Sequence, residues 1–404
     1  MKLHGDLFSK IVSDDNLKLA HFNAKKGKGW YQEVKKVNEN VAKDTENNFG
    51  EMLQKLQQDL INHTYHTSNY NTIRRKEGKK VRDLYKLPYY PDRIAQWAVI
   101  QVIEPILIRH LIFDTYSALP NRGIHLGLER VQHVMRHDVP GCQYCLKIDA
   151  KHYYQSINHE ILKDKFRRLF KDNELLWFID EVIGSVETAD ESDKERLSTI
   201  EELSTEVLSR YIWGRKETPE ERKLRYENSG IGLPIGNYFS QYGGNFYFSE
   251  FDHFMKENIR VKYYFRYMDD IVIFGSNKEY LHKLCWQINH YFQTNLRITM
   301  KENYQVFPTY VRGVDYLGFR SFLNYTLLRK STCQSYKHKM LLIAKKVKRG
   351  AEISYSDYCS FNSYKGWLLP CDHYRLYEKY GVPLEKYVDA YYVKNIQSRK
   401  GVSS

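Results

Sequence analysis

Two adjacent carboxylates, Asp269 and Asp270, stand in Tyr267-Met268-Asp269-Asp270, between the apolar runs Val261-Lys262-Tyr263-Tyr264-Phe265 and Ile271-Val272-Ile273-Phe274. That pattern predicts a β-hairpin with both acids at its tip. Like charges so close repel, and a bound divalent cation offsets the repulsion. Two hard cations held about 3.5–4 Å apart for phosphoryl chemistry need further oxygen ligands. A second acid is placed to supply one, because Tyr144-Cys145-Leu146-Lys147-Ile148-Asp149 alternates as a strand and ends in Asp149. Taken singly, Asp149 could start a turn or cap the helix that begins near Asn158, and Asp-Asp could reflect the turn preference of Asp. Two sets of acids, each closing an apolar strand, point instead to a metal-dependent phosphoryl-transfer site.

The elements around these acids can be read from periodicity. Phe49, Leu53, Leu56 and Leu60 mark one face of an amphipathic helix, and the basic stretch 73–82, centred on Glu77-Gly78, predicts a hairpin. Residues 95–112 and 125–137 read as helices, and 159–169 as a helix returning across the strand that ends at Asp149. The aromatics of 242–254 fall on a packed helix face. Helices alternating with strands ahead of an antiparallel hairpin predict an α+β architecture with helices covering one sheet face. Between 185 and 230 acids such as Glu187, Asp190, Asp193, Glu201 and Glu202 accumulate, while Ile200, Leu203, Val207 and Tyr211 keep a helical period. This segment reads as an acidic helical insertion. From 316 to 351 there is no Asp or Glu, whereas Lys337, Lys339, Lys345, Lys346, Lys348 and Arg349 gather, the pattern of a nucleic-acid-binding face.

Composition agrees with a polyanionic partner. The 404-residue chain carries a formal net charge of +13, and its 34 Tyr and 19 Phe supply surfaces on which bases stack. No run approaches the roughly 20 apolar residues needed to span a bilayer, and Met1-Lys2-Leu3-His4-Gly5-Asp6 opens no signal-peptide core. A cytoplasmic location, no membrane partner and reduced thiols for the six Cys are therefore expected. Cys142 and Cys145 have no second ligand pair at zinc-like spacing, so no zinc site is expected.

Taken in order, Lys147-Ile148-Asp149, the aromatic Tyr154, Gly232-Leu233-Pro234-Ile235-Gly236-Asn237-Tyr238-Phe239-Ser240-Gln241 and Tyr267-Met268-Asp269-Asp270 resemble the motifs of reverse transcriptases. Leu87-Pro88-Tyr89-Tyr90-Pro91-Asp92-Arg93-Ile94, Thr115-Tyr116-Ser117 and Asn121-Arg122-Gly123-Ile124-His125 are similar to the upstream blocks of prokaryotic members, among them retron, group II intron and diversity-generating enzymes. The resemblance runs from about residue 80 to 325. It implies a right-hand polymerase, with an N-terminal helical extension over 1–60 and fingers over 61–140. A palm over 141–325 would contain the 185–230 insertion, and a basic helical thumb would occupy 326–404. By the same resemblance, Asp149 and Asp269 would hold two Mg²⁺ ions, with Mn²⁺ as a substitute. The Ala150 carbonyl would complete one sphere and Asp270 would be a looser ligand. Lys80, Arg82 and Arg93 would contact the triphosphate of a dNTP, and Ile235 and Gly236 would line the nascent base pair. Tyr154 would lie under the sugar and exclude a 2′-hydroxyl, and Lys301 would be a general acid to the pyrophosphate. Lys337, Lys339, Lys345, Lys346, Lys348 and Arg349 would grip an RNA–DNA duplex.

Two positions depart from the commoner family pattern. Ile235 replaces a frequent Gln, and Ser240-Gln241 replaces Ser-Pro; both resemble the diversity-generating retroelement type. Loss of an amide beside the nascent pair predicts relaxed fidelity, notably opposite template adenine. The implied function is RNA-directed DNA polymerase, copying a dedicated RNA template into cDNA, with a small accessory protein as partner. Alternatives are an antiphage defence reverse transcriptase copying a noncoding RNA, and a catalytically idle RNA-binding scaffold. Intact Asp149, Asp269 and Asp270 argue against the scaffold, and Tyr154 against an RNA-dependent RNA polymerase.

Overall fold

The computed structural model describes residues 3–44, 46, 49–77, 80–200 and 217–397. Helices α1 (Phe8–Ile11), α2 (Asp14–Ala24), α3 (Gln32–Lys43) and α4 (Gly50–Ile61) open the chain. Phe49, Leu53, Leu56 and Leu60 are all buried, as their spacing predicts. Strands β1 (Asn71–Glu77) and β2 (Lys80–Lys86) form the basic hairpin, with Arg75 opposite Arg82. Its tip, 78–79, and the side chain of Lys80 lie outside the described residues. Helices α5 (Ile94–Arg109) and α6 (Ile124–His137) follow, and α5 stops short of the expected 112.

The central sheet is built from β3 (Tyr144–Asp149), β4 (Tyr263–Tyr267), β5 (Asp270–Gly275) and β6 (Gln305–Pro308), in the order β4-β5-β3-β6 with every pair antiparallel. Its side chains divide with period two. Leu146, Ile148, Tyr264, Ile271 and Ile273 enter one core, while Cys145, Phe265, Val272 and Phe274 enter another. Both faces are therefore covered, which corrects the expectation of helices on one face. The second face packs on Leu128 and Val131 of α6 and on Tyr336 and Met340 of the C-terminal part. Ile271 to Phe274 carry no polar residue that could face water, so a sheet solvated on one side was already excluded by its own sequence.

After β3 come α7 (His159–Arg167) and α8 (Asn173–Gly184). Asn158 Oδ1 accepts from the Ile161 N–H at 3.0 Å, so Asn158 caps α7 and Asp149 does not. The acidic segment contains α9 (Glu191–Ser198) and α10 (Pro219–Glu227); Glu201, Glu202, Leu203, Val207 and Tyr211 lie outside the described residues. Helices α11 (Tyr238–Tyr247) and α12 (Ser249–His253) bury Tyr242, Phe246, Tyr247 and Phe251. Helix α13 (Lys278–Leu296) packs on the sheet. Beyond β6 come α14 (Thr309–Arg312) and a small antiparallel sheet of β7 (Val314–Tyr316), β8 (Phe319–Ser321) and β9 (Thr326–Leu328). Helices α15 (Lys330–Lys348), α16 (Tyr355–Leu368), α17 (Tyr374–Tyr380) and α18 (Val382–Tyr392) follow, and a π-helical turn, Val393–Gln397, ends the described chain. Among the described residues no helix is long and apolar enough to cross a membrane.

Candidate catalytic site

Strand register brings the acids together. Asp149 is paired across the ladder with Asp270, and Tyr267 with Asp270, which leaves Met268 and Asp269 as a two-residue turn. Met268 has φ 56°, a backbone conformation that bulky L-residues seldom adopt. Its neighbours hold it there. Arg266 Nη1 donates to the Met268 carbonyl at 3.0 Å, and the Tyr154 hydroxyl lies 3.6 Å from Met268 Sδ. Gly244 of α11 packs beside both, and a Cβ there would stand in ordinary contact, 3.4 Å from Met268 Sδ and from Tyr154 Cε1.

Arg266 is fully buried on β4 and ion-paired with buried Asp252 at 2.6 Å. It also donates to Asn245 Oδ1 at 3.2 Å, so one guanidinium joins the catalytic turn to α11 and α12. Sequence patterns do not single out Arg266. A lone Arg within an apolar strand is nevertheless a signal, because a buried charge requires a partner.

Burial first, and then the adjacent Asp149 carboxylate, push Asp269 up to about 7. Burial also raises Asp270, while Lys147 pulls it back. Lys147 Nζ lies 3.3 Å from Asp270 and donates to the Asp315 carbonyl of β7 at 2.5 Å. Lys147 precedes Asp149 by two residues and so shares its face of the strand. On the other side, the Lys301 N–H donates to the Asp149 carbonyl at 2.9 Å, and Lys301 Nζ stands 2.5 Å from Asp149 Oδ2. Ala150, buried between them, bridges Met300.

This set fits a hard divalent cation. Asp149 Oδ1 is buried without a hydrogen bond, and the Asp269 carboxyl beside it is reluctant to ionise without a nearby positive charge. Among the described residues, no three His, Cys, Asp or Glu side chains close into a cage of their own.

The remaining sequence-derived candidates are spread over several elements. Tyr154 lies against the catalytic turn, as described above. Ile235 and Gly236 join the basic hairpin, where the Tyr85 N–H donates to the Ile235 carbonyl at 2.9 Å. Gly236 has φ +113°, and a Cβ there would come 3.3 Å from the Tyr85 carbonyl, so this loop needs glycine. Arg82 is exposed on β2. Arg93 is not gathered with the carboxylates; it donates to the Ala24 carbonyl at 3.3 Å and lines a cavity of about 440 Å³ with Lys28, Tyr31, Gln96 and Gly236.

The C-terminal cations divide by their surroundings. Lys339 and Lys346 lie on α15 but pair with buried Asp357 of α16 at 3.0 and 2.7 Å. Two of the cations in the acid-free run 316–351 thus share one carboxylate just beyond it. Burial alone would raise Asp357, but hydrogen bonds from Lys346, Ser354 and Lys339 outweigh it and hold the carboxyl well below the usual range. Lys345, Lys348 and Arg349 remain exposed, and Lys337 lies 5.9 Å from the centre of the Tyr380 ring.

A family model described as reverse transcriptase (RNA-dependent DNA polymerase) matches residues 74–321. The match covers more than half of the chain and includes Asp149, Asp269, Asp270 and Lys301, and the protein belongs to that family. No curated protein matches the sequence. Among solved structures, the telomerase from Candida albicans in complex with a TWJ fragment of telomeric RNA aligns with a TM-score of 0.41 at 10% identity, covering 72% of this chain and 56% of that one. The chain therefore spans just over half the length of that protein.

Proposed function

We propose that this protein is an RNA-directed DNA polymerase that extends a primer with dNTPs by metal-assisted nucleotidyl transfer on an RNA template. The observation that carries this reading is the meeting of Asp149, from the end of β3, with Asp269, from the β4–β5 turn. Asp149, Asp269 and the Ala150 carbonyl would hold Mg²⁺, with Asp270 steadied by Lys147. The bound ions would acidify the primer 3′-hydroxyl and neutralise the departing pyrophosphate. Tyr154, packed under the turn, gives the sugar a wall that a 2′-hydroxyl would strike. Primer extension on an RNA template is the test: Asp149→Ala and Asp269→Ala should each abolish incorporation, and turnover by either variant would reject the reading.

The finer reading is low-fidelity copying of a dedicated RNA, as in diversity-generating retroelements, in concert with a small accessory protein. Its support is Ile235, an aliphatic side chain on the loop hydrogen-bonded to the basic hairpin. Ile235→Gln would restore an amide beside the nascent pair and should lower misincorporation opposite template adenine several-fold. Equal error spectra for the two proteins on one template would reject it. Sequencing RNA that copurifies with the protein would identify the template.

A further inference from the structure

The acidic insertion reaches into the catalytic site through α9. Asp193 is only 2% exposed. Its Oδ1 lies 2.6 Å from His152 Nδ1 and accepts from Arg196 Nη2 at 3.0 Å. Held this way, the Arg196 guanidinium reaches two separate segments. Nη2 donates to Ser156 Oγ at 2.9 Å, and Nη1 donates to Thr299 Oγ1 at 2.5 Å.

Those segments flank the carboxylates. Ser156 closes the turn that leaves Asp149 and carries Tyr154, its Oγ donating to the His152 carbonyl at 2.9 Å. Thr299 stands two residues before Lys301, and its carbonyl accepts from the Lys151 N–H at 2.8 Å. His152 has φ 45°, a left-handed backbone that its contact with Asp193 helps to hold. One planar fork, oriented by a buried carboxylate, therefore joins the Tyr154 turn to the segment that leads to Lys301.

We propose that Arg196, oriented by Asp193, is a positioning residue for nucleotidyl transfer. Through it the insertion clamps the turn that carries Tyr154 against the segment that leads to Lys301, and so tunes sugar selection and turnover. The inference rests on the polymerase reading above. A purely structural role would tie the insertion down and leave both properties alone.

The test compares full-length wild type with Arg196→Ala, Arg196→Lys and Thr299→Val in single-nucleotide extension on an RNA template, using matched deoxy- and ribonucleoside triphosphates. A displacement of about 1 Å at a reacting group can cost on the order of a hundredfold, so Arg196→Ala should lower kcat for the dNTP by about ten- to a hundredfold with a smaller change in KM. Its preference for deoxy over ribo substrate should fall several-fold. Arg196→Lys, which keeps a cation and one of the two bonds, should recover part of each loss. Thr299→Val, which cuts only the Lys301 side, should lower kcat and keep the preference. Wild-type kcat and preference in Arg196→Ala would overturn the proposal, and so would a lower melting temperature with both unchanged. If the wild type extends no primer, the polymerase reading fails, and the brace is then judged by hydrogen exchange. Faster exchange over 151–156 in Arg196→Ala supports it, and equal protection overturns it.

Discussion

Lys301 and Asp149 are joined twice: the Lys301 N–H donates to the Asp149 carbonyl at 2.9 Å, and Lys301 Nζ stands 2.5 Å from Asp149 Oδ2. The backbone bond fixes the two chains side by side, and the ionic contact puts a cation on the carboxylate that would receive Mg²⁺. Lys301→Met keeps the first and removes the second. If Lys301 is the general acid that the family resemblance implies, its loss should cost about 10²–10⁴-fold in kcat for dNTP incorporation. Metal affinity should move the other way, because a competing cation is gone. Mn²⁺ binding followed by electron paramagnetic resonance should show a lower dissociation constant for Lys301→Met than for wild type.

The Asp269 carboxyl supplies a pH signature. Its ordinary value of 3.8 rises to about 7 in the folded chain, by burial and then by the Asp149 charge. Between roughly pH 4 and 7 the folded state keeps a proton that the unfolded state has released, so stability falls as pH rises through that window and levels off above it. In EDTA, thermal melting should therefore decline from pH 5 to 7.5, and Asp269→Asn should flatten the decline. Mg²⁺ should recover the lost stability above pH 7 in wild type alone.

Arg266 predicts a stability effect with a catalytic consequence. Removing one member of a buried ion pair leaves the other charge stranded, at a cost of about 3–5 kcal/mol. Arg266→Met should destabilise by that order in denaturant titrations, with Asp252 as the stranded partner. The lost bond to the Met268 carbonyl also frees the turn, so incorporation should fall even at temperatures where the variant stays folded.

Much of the site was legible because a strand writes its geometry in a period of two. Asp149 could be placed at a strand end from the alternation of 144–149, and Asp269 and Asp270 at a hairpin tip from the apolar runs on either side; register did the rest. Helix α4 was legible from four apolar residues. Contacts that depend on remote pairing were not legible. Nothing local links Asp193 to His152, or Arg196 to Thr299, because those bonds exist only once the insertion folds back on the sheet. The pairing of Lys339 and Lys346 with Asp357 was not legible for the same reason, since Asp357 lies beyond the acid-free run and meets it only when α16 packs on α15.

That last point can be measured, because phosphate contacts and internal ion pairs respond differently to salt. Each cation that neutralises a phosphate releases counterions and contributes about 0.9 to the slope of log K against log salt. If the C-terminal helices grip a duplex, Lys345→Ala, Lys348→Ala and Arg349→Ala should each reduce that slope by about 1 and leave melting unchanged. Lys339→Ala and Lys346→Ala should leave the slope nearly intact and lower thermal stability, because each strips a partner from buried Asp357. The same pair predicts acid sensitivity. Asp357 is held below its usual range, so its contribution is present above the ordinary value of 3.8 and is lost as pH falls below it. Acidification should loosen α15 from α16, and Asp357→Asn should remove that dependence while destabilising the pair at neutral pH. A salt slope that drops equally for all five lysine and arginine variants would instead mean that Lys339 and Lys346 leave Asp357 for the phosphates when nucleic acid binds.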